Sequence, residues 1–119
     1  MPGSADRLRE AALADGMVLR DDAMSLAELD GLLSAWTWDS VPRPWLREEV
    51  AAYLAIVLLA DVPSASAGEG SSVVLSNGDV VDCVAIATER LARPNADLRG
   101  VVREIHARPV RRKRWWRRG

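Results

Sequence analysis

The sequence has little of the chemistry from which metal sites and disulfides are built. Its 119 residues include no phenylalanine, one cysteine and one histidine. A single Cys83 cannot form a disulfide within the chain and suits a reducing cytosol. Zinc sites draw three or four ligands from cysteine, histidine and carboxylates at recognisable spacing. Cys83 and His106 belong to no such spacing, so we expect no metal and no other cofactor.

Patterns for catalysis are missing as well. A cysteine nucleophile needs a neighbouring base and a third group that orients it. Cys83 instead lies in a valine-rich segment, where a free cysteine usually behaves as a small buried hydrophobe, and His106 is expected at the surface or a helix end. The serines of PSASAGEGSS, residues 63–72, form neither a G-x-S-x-G elbow nor a phosphate-binding loop. The sequence therefore predicts no enzyme and no small-molecule substrate, and it predicts a flexible surface loop at 63–72.

No apolar run is long enough to cross a bilayer. The longest, Val50 to Ala60, is well short of the roughly 20 residues that a spanning helix needs. The start of the chain, MPGSADRLRE, lacks the pattern of a secretory signal, so a cytoplasmic location is expected, with attachment at a membrane surface as an option. We predict that Trp45–Asp61 forms a central helix around which other elements pack. Pro44 suits its first turn, and Glu48 and Glu49 complement its dipole there.

Four further segments have helical patterns. Ser25 and Glu28 form a capping box that starts the second helix, and Ser4 and Asp97 are candidate caps for the first and last helices. The first helix should end at Asp15-Gly16. The predicted inward faces are Leu8, Ala11 and Ala12 of helix 5–14; Leu26, Leu29, Leu33 and Trp36 of the second helix; Val84, Ala87, Thr88 and Leu91 of helix 84–93; and Leu98, Val101, Val102 and Ile105 of the last helix.

Asn77-Gly78 between two valine-rich runs predicts a β-hairpin, because both residues tolerate the positive φ of a type I′ turn. Both faces of the hairpin carry apolar residues, so the pattern leaves its register open. An isolated hairpin is marginal in water and needs a helix beneath it or a third strand. Met17–Leu19 is the candidate for that strand.

These elements predict an α+β fold. The expected molecule is one small domain over residues 1–107, with four to five helices and a central apolar helix packed against a β-hairpin or a three-stranded antiparallel sheet. Three segments, SLAELDGLLSAW, PWLREEVAAYLAIVLL and VVLSNGDVVDCVAIA, resemble a family of small actinobacterial domains of unknown function. That resemblance covers about Leu19–Ala92 and implies the same fold without any catalytic residue. The family usually carries a tryptophan-containing strand before the hairpin, which Ser64–Ser72 replaces here.

The net charge of −1 conceals a strong asymmetry along the chain. Residues 1–88 carry 14 acidic and 5 basic side chains (14 − 5, or −9), whereas residues 89–119 carry 3 acidic and 11 basic (+8). The segment 108–119, RPVRRKRWWRRG, has too few aliphatic residues for a core and is predicted to be a disordered tail. Its candidate binding residues are Arg111, Arg112, Lys113, Arg114, Trp115, Trp116, Arg117 and Arg118.

Several partners suit such a tail. Arginines neutralise phosphates while tryptophans stack on bases, which favours RNA or single-stranded DNA. Cations and interfacial tryptophan also favour an anionic membrane. An acidic protein, the acidic body of the same chain and no specific partner at all remain open alternatives.

The leading functional hypothesis is a non-enzymatic module that acts through protein contacts, such as an adaptor or an immunity-type protein. Trp38, expected in a loop beside Asp39, is the candidate contact residue, because exposed tryptophans often anchor protein interfaces. Peripheral binding of nucleic acid or anionic membrane through the tail is the alternative.

Overall fold

A computed structural model describes residues 5–38, 41–93 and 98–107. Over these residues the chain forms an α+β domain with a three-stranded antiparallel sheet in the order β1-β2-β3, which confirms the predicted fold class. The elements in chain order are α1 (Asp6–Ala14), α2 (Ala23–Trp38), α3 (Leu46–Asp61), β1 (Ser66–Ala67), β2 (Ser72–Val74), β3 (Val80–Asp82), α4 (Cys83–Ala92) and α5 (Leu98–Ala107).

Helix α3 is the centre of the molecule, as its apolar sequence predicts. The helices α1, α2 and α4 and the strands β1 and β2 all contact it. Residues 50–55 are buried, and so are Val57 and Leu58, whereas Ile56 and Leu59 are half-buried. Burial of a side chain such as Leu54 or Leu58 stabilises the fold by about 1.5–3 kcal/mol. The long apolar run of α3 is tolerated because most of the circumference of the helix is covered over that run.

The third strand is not the one the sequence suggested. Met17–Leu19 is irregular, and Ser66–Ala67 pairs with Val73–Val74 instead. The strand therefore lies inside the segment predicted to be a flexible loop, and that prediction was wrong for these residues. A two-residue strand leaves almost no periodic signal in a sequence. Glycine at position 68 allows the chain to turn back closely from β1 to β2, since a Cβ there would lie 2.5 Å from the Ser72 Oγ.

Side chains satisfy the backbone of residues 17–22 in place of a neighbouring strand. Arg9 Nη1 donates to the Leu19 carbonyl at 3.2 Å, and the Arg20 amide donates to Ser25 Oγ at 2.9 Å. The hydroxyl of Tyr53, a fully buried residue of the central helix, donates to the Arg20 carbonyl. Because these bonds come from three different elements, they fix the connection between α1 and α2 without any sheet.

Carboxylates accept hydrogen bonds from backbone amides at the starts of two helices, and at α2 the residue differs from the one predicted. The Asp22 Oδ1 accepts from the Ser25 amide at 2.9 Å, so α2 begins before Ser25 and the proposed capping box is not its start. For α1, the Leu8 amide donates to Glu49 Oε1 at 2.9 Å. Glu49 thus satisfies a free amide of a neighbouring helix, in addition to lying in the first turn of its own. Ser4 and Asp97, the other predicted caps, lie outside the described residues.

The hairpin forms as predicted, with a different turn. The Leu75 amide donates to the Asp79 carbonyl at 2.8 Å, and the Gly78 amide donates to the Leu75 carbonyl at 2.9 Å. Among the three loop residues only Gly78 has positive φ, at +91°, which is the geometry of a three-residue loop and excludes type I′. Val73 and Val81 face the core while Val80 is exposed, which settles the register.

Helix α4 buries Ala87 and half-buries Leu91, as predicted, but the rest of its buried face differs from the prediction. Cys83, Ala87 and Arg90 are buried, whereas the predicted inward residues Val84 and Thr88 are exposed. The Asp82 Oδ1 caps the helix by accepting from the Ala85 amide at 3.1 Å. The apolar pattern misleads because a buried arginine occupies the inward face, where a stripe of aliphatic residues would be expected.

Arg90 can be buried because Asp30 of α2 forms an ion pair with it. Its Nε lies 2.8 Å from Asp30 Oδ1, and its Nη2 donates to the Asp30 carbonyl at 3.1 Å. The same carboxylate accepts from the Leu98 amide through Oδ2 at 3.0 Å, so it caps α5 as well. One side chain therefore joins α2, α4 and α5. Leu98, Val102 and Ile105 of α5 are buried, as its spacing predicts.

Candidate functional site

A groove lies where the end of α2 meets the start of α3. It has a volume of about 440 Å³, within the range of ligand-binding clefts. Its floor is apolar, and its rim carries two arginines and the exposed Val41. The lining residues are Leu33, Trp36, Val41, Arg43, Pro44, Leu46, Arg47 and Leu91.

The floor of this groove is held in place by polar contacts of Trp36. Its indole Nε1 donates to Asp15 Oδ2 at 2.7 Å, which ties α2 to the end of α1. The Arg43 guanidinium lies over the same ring, 4.5 Å from its centroid. A cation over an indole face is attracted by the ring quadrupole. The stack therefore places a fixed positive charge at the edge of an apolar surface.

The second arginine of the rim is more exposed. Arg47 Nε lies 3.0 Å from Glu48 Oε2 at the start of α3. This hydrogen bond lowers the pKa of Glu48 and raises that of Arg47, and so favours the charged form of both groups. The neighbouring prolines, Pro42 and Pro44, restrict the backbone that carries Arg43 between them. That Pro-Arg-Pro order was the signal in the sequence that could have pointed to this rim.

None of the sequence-predicted site residues is among the described residues that line this groove. Trp38 is the last residue of α2, so it does not lie in a loop as predicted, and its side chain is outside the described residues. Of the neighbouring tryptophans, Trp36 is buried and Trp45 is half-buried. The tail residues Arg111, Arg112, Lys113, Arg114, Trp115, Trp116, Arg117 and Arg118 all lie outside the described residues. Sequence reasoning missed Val41, Arg43 and Arg47.

Cys83 is placed where burial disfavours the thiolate form that a cysteine nucleophile needs. It is the first residue of α4 and fully buried. Burial, with a smaller effect of the adjacent Asp82 charge, raises the pKa of its thiol to about 12. The thiolate is the nucleophilic form of cysteine. The side chain of His106 is not described. Within residues 5–38, 41–93 and 98–107, no three residues of types His, Cys, Asp and Glu are grouped so that they could hold a metal ion.

Stability is expected to fall between about pH 9 and 12 because of two buried acids. Burial raises the pKa of Tyr53 to about 12, as it does for Cys83. The folded chain then binds these protons more tightly than the unfolded chain, so their contribution is complete below about pH 8.5 and is lost as the pH rises toward 12. Urea unfolding across this range should show a declining free energy. Tyr53→Phe should decline less steeply, and an identical slope in both proteins would contradict the assignment.

The fold and the groove together define the class of protein, which is a small α+β domain with an apolar groove that has two arginines at its rim. The sequence profile of a family of unknown function, DUF6278, matches residues 2–107. The chain therefore belongs to this family. No curated protein and no solved structure matches the chain. Among the described helices, none is both long and apolar enough to cross a membrane.

Proposed function

We propose that this protein is a non-enzymatic interaction domain whose groove between α2 and α3 binds a protein segment with an apolar side chain beside carboxylates. One observation carries the proposal. Arg43 and Arg47 are the only lysine, arginine or histidine residues between positions 21 and 89, and both line the same groove. The remainder of that stretch is strongly acidic, so its positive charges are confined to the rim of the groove, where Arg47 pairs with Glu48.

The apolar part of the groove supports the same proposal. Val41 is 55% exposed at its rim, and Trp36, Leu33 and Leu46 lie below it. Arginine and aromatic residues are enriched at the centres of protein interfaces. Binding would bury the Val41 side chain and pair Arg43 with a carboxylate, in a place where the Trp36 ring already orients the guanidinium. An adaptor or immunity-type role requires only such binding and no turnover.

The buried thiol of Cys83 supports a non-catalytic role for the protein. Its thiol would have to lose a proton whose pKa is about 12 before it could attack a substrate. A small-molecule turnover that disappears in Cys83→Ala, with the fold retained, would overturn the non-enzymatic part of the proposal.

Val41→Asp is expected to weaken partner binding on the order of tenfold or more, corresponding to about 1.4 kcal/mol. The substitution places a negative charge where an acidic partner is bound and removes an apolar contact. Val18→Asp is the matched control, because Val18 is 61% exposed, in a segment that is also irregular, and does not line the groove. Affinity capture with the full-length proteins, followed by titration of the captured partner, measures both variants.

Three results distinguish the outcomes of this experiment. Loss of a stoichiometric protein partner in Val41→Asp and Arg43→Glu, with retention in Val18→Asp, supports the groove. Equal retention in all variants shows that the partner binds elsewhere. Equal loss in Val41→Asp and Val18→Asp shows a response to added charge alone, and contradicts a specific site.

A further inference from the structure

A second cavity lies between the end of α3, the turn of the β2–β3 hairpin and the last turn of α5. Its volume is about 330 Å³, at the lower end of the range for ligand pockets. Apolar side chains form much of its wall, and hydroxyl and amide groups are also present. The lining residues are Val62, Pro63, Ser64, Leu75, Ser76, Asn77 and Ile105. Such a wall suits an aromatic side chain that has one polar atom, as an indole does.

All but one of the residues that line the cavity come from a part of the chain without any positive charge. Residues 48–89 contain no lysine, arginine or histidine and carry seven acidic side chains. Every lining residue except Ile105 comes from this segment. Residues 108–119 have the opposite charge, with seven basic side chains and no acidic one. Electrostatic complementarity therefore favours contact between the two segments.

Asp79 ends the hairpin turn two residues after Asn77, which lines the cavity, and one of its carboxylate oxygens lacks a hydrogen-bond donor among the described residues. Its Oδ2 atom is buried and has no hydrogen-bond partner among the described residues. A buried carboxylate oxygen without a partner is costly, and native structures rarely retain one. A guanidinium from a nearby arginine would supply both a donor and a compensating charge.

The last described helix, α5, contributes Ile105 to this cavity near its C-terminal end. The basic segment starts three residues later. Trp115 is ten residues beyond Ile105, and an extended chain spans about 3.3–3.6 Å per residue, so the tryptophans can return to the cavity. A segment tethered this closely has an effective concentration in the millimolar range, which favours it over a partner from solution.

We propose that residues 108–119 bind back onto their own domain, with the Trp115-Trp116 pair at this cavity and an arginine of the tail against Asp79. The body thereby competes with external anions for the tail. This proposal is independent of the groove between α2 and α3, since the two cavities share no lining residue.

The test compares amide NMR spectra of the full-length chain with those of Trp115→Ala/Trp116→Ala. Removing an indole from contact removes its ring-current effect on nearby amides. The largest shift changes are expected at residues 62–64, at 75–79 and at Ile105. The conservative Trp115→Phe/Trp116→Phe variant should retain part of the effect. Asp79→Asn should move the tail signals, and 1 M salt should weaken the contact, because the Debye length falls to about 3 Å.

Other outcomes overturn the proposal. Shift changes confined to the tail itself would show that the tryptophans do not contact the domain. Changes at the cavity that vanish on dilution would assign the contact to a second copy of the chain. If the spectra of the body are unaffected and a dT oligonucleotide or a phosphatidylglycerol vesicle binds the tail, then external anions are its target.

Discussion

Asp30→Ala is expected to lower the free energy of unfolding by about 3–5 kcal/mol, the cost of removing one partner from a buried ion pair. The side chains of Arg90 and Asp30 are only 4% and 16% exposed. Without the carboxylate, the Arg90 guanidinium stays buried without its charge partner. The Leu98 amide also loses its acceptor, so the start of α5 is no longer capped. Because a domain has only about 5–15 kcal/mol of stability, this loss is a large fraction of the total.

The control is a surface ion pair at the C-terminal end of α4, the helix that carries Arg90. Arg93 Nη1 lies 3.4 Å from Glu89 Oε1, and both side chains are mostly exposed. Glu89→Ala should therefore cost about 0–1 kcal/mol. Asp30→Asn should be intermediate, since an amide oxygen can still accept from Arg90 or Leu98 while the charge is lost. Chemical denaturation measures all three variants. Equal losses for Asp30→Ala and Glu89→Ala would show that the buried network does not join the three helices.

Leu58→Ala is expected to cost about 2–5 kcal/mol, the range for a fully buried leucine. Leu58 lies on the covered side of α3 and is fully buried, while Leu59, the next residue, is half-buried. Leu59→Ala should cost clearly less, because its cavity would open to solvent and fewer contacts would be lost. Helix propensity cannot produce the difference, as the two substitutions are the same in one helix.

Denaturant unfolding of both variants checks this pair. A larger loss in Leu59→Ala than in Leu58→Ala would mean that the side of α3 that faces the core is rotated from the one described. Equal losses would indicate that the helix is covered evenly on all sides, as its sequence alone would suggest.

The functional proposals depend on where charges are brought together in space. The groove gathers Arg43 and Arg47, whereas the second cavity is set in a segment that has no basic residue. The domain thus presents two surfaces of different character. One suits an acidic partner from outside, and the other suits the basic tail of the chain itself.

The sequence by itself determined the elements with strong local signals. The apolar run of α3, the leucine stripe of α2, the spacing of α5 and the Asn77-Gly78 hairpin each depend on neighbouring residues. Periodicity and turn chemistry are local properties, so they can be read without knowing the fold. Together they sufficed for the α+β class.

Only the tertiary structure decided the features that join distant parts of the chain. Arg90 faces inward because Asp30, sixty positions earlier, neutralises it; Glu49 caps α1 across forty-one positions. The third strand is Ser66–Ala67 because β2 offers it a partner, whereas the backbone of Leu19 and Arg20 is satisfied by side chains. The groove likewise exists because the Pro-Arg-Pro segment passes over Trp36. Each of these features depends on a partner that is distant in the chain, and the local sequence does not indicate which residue that partner is.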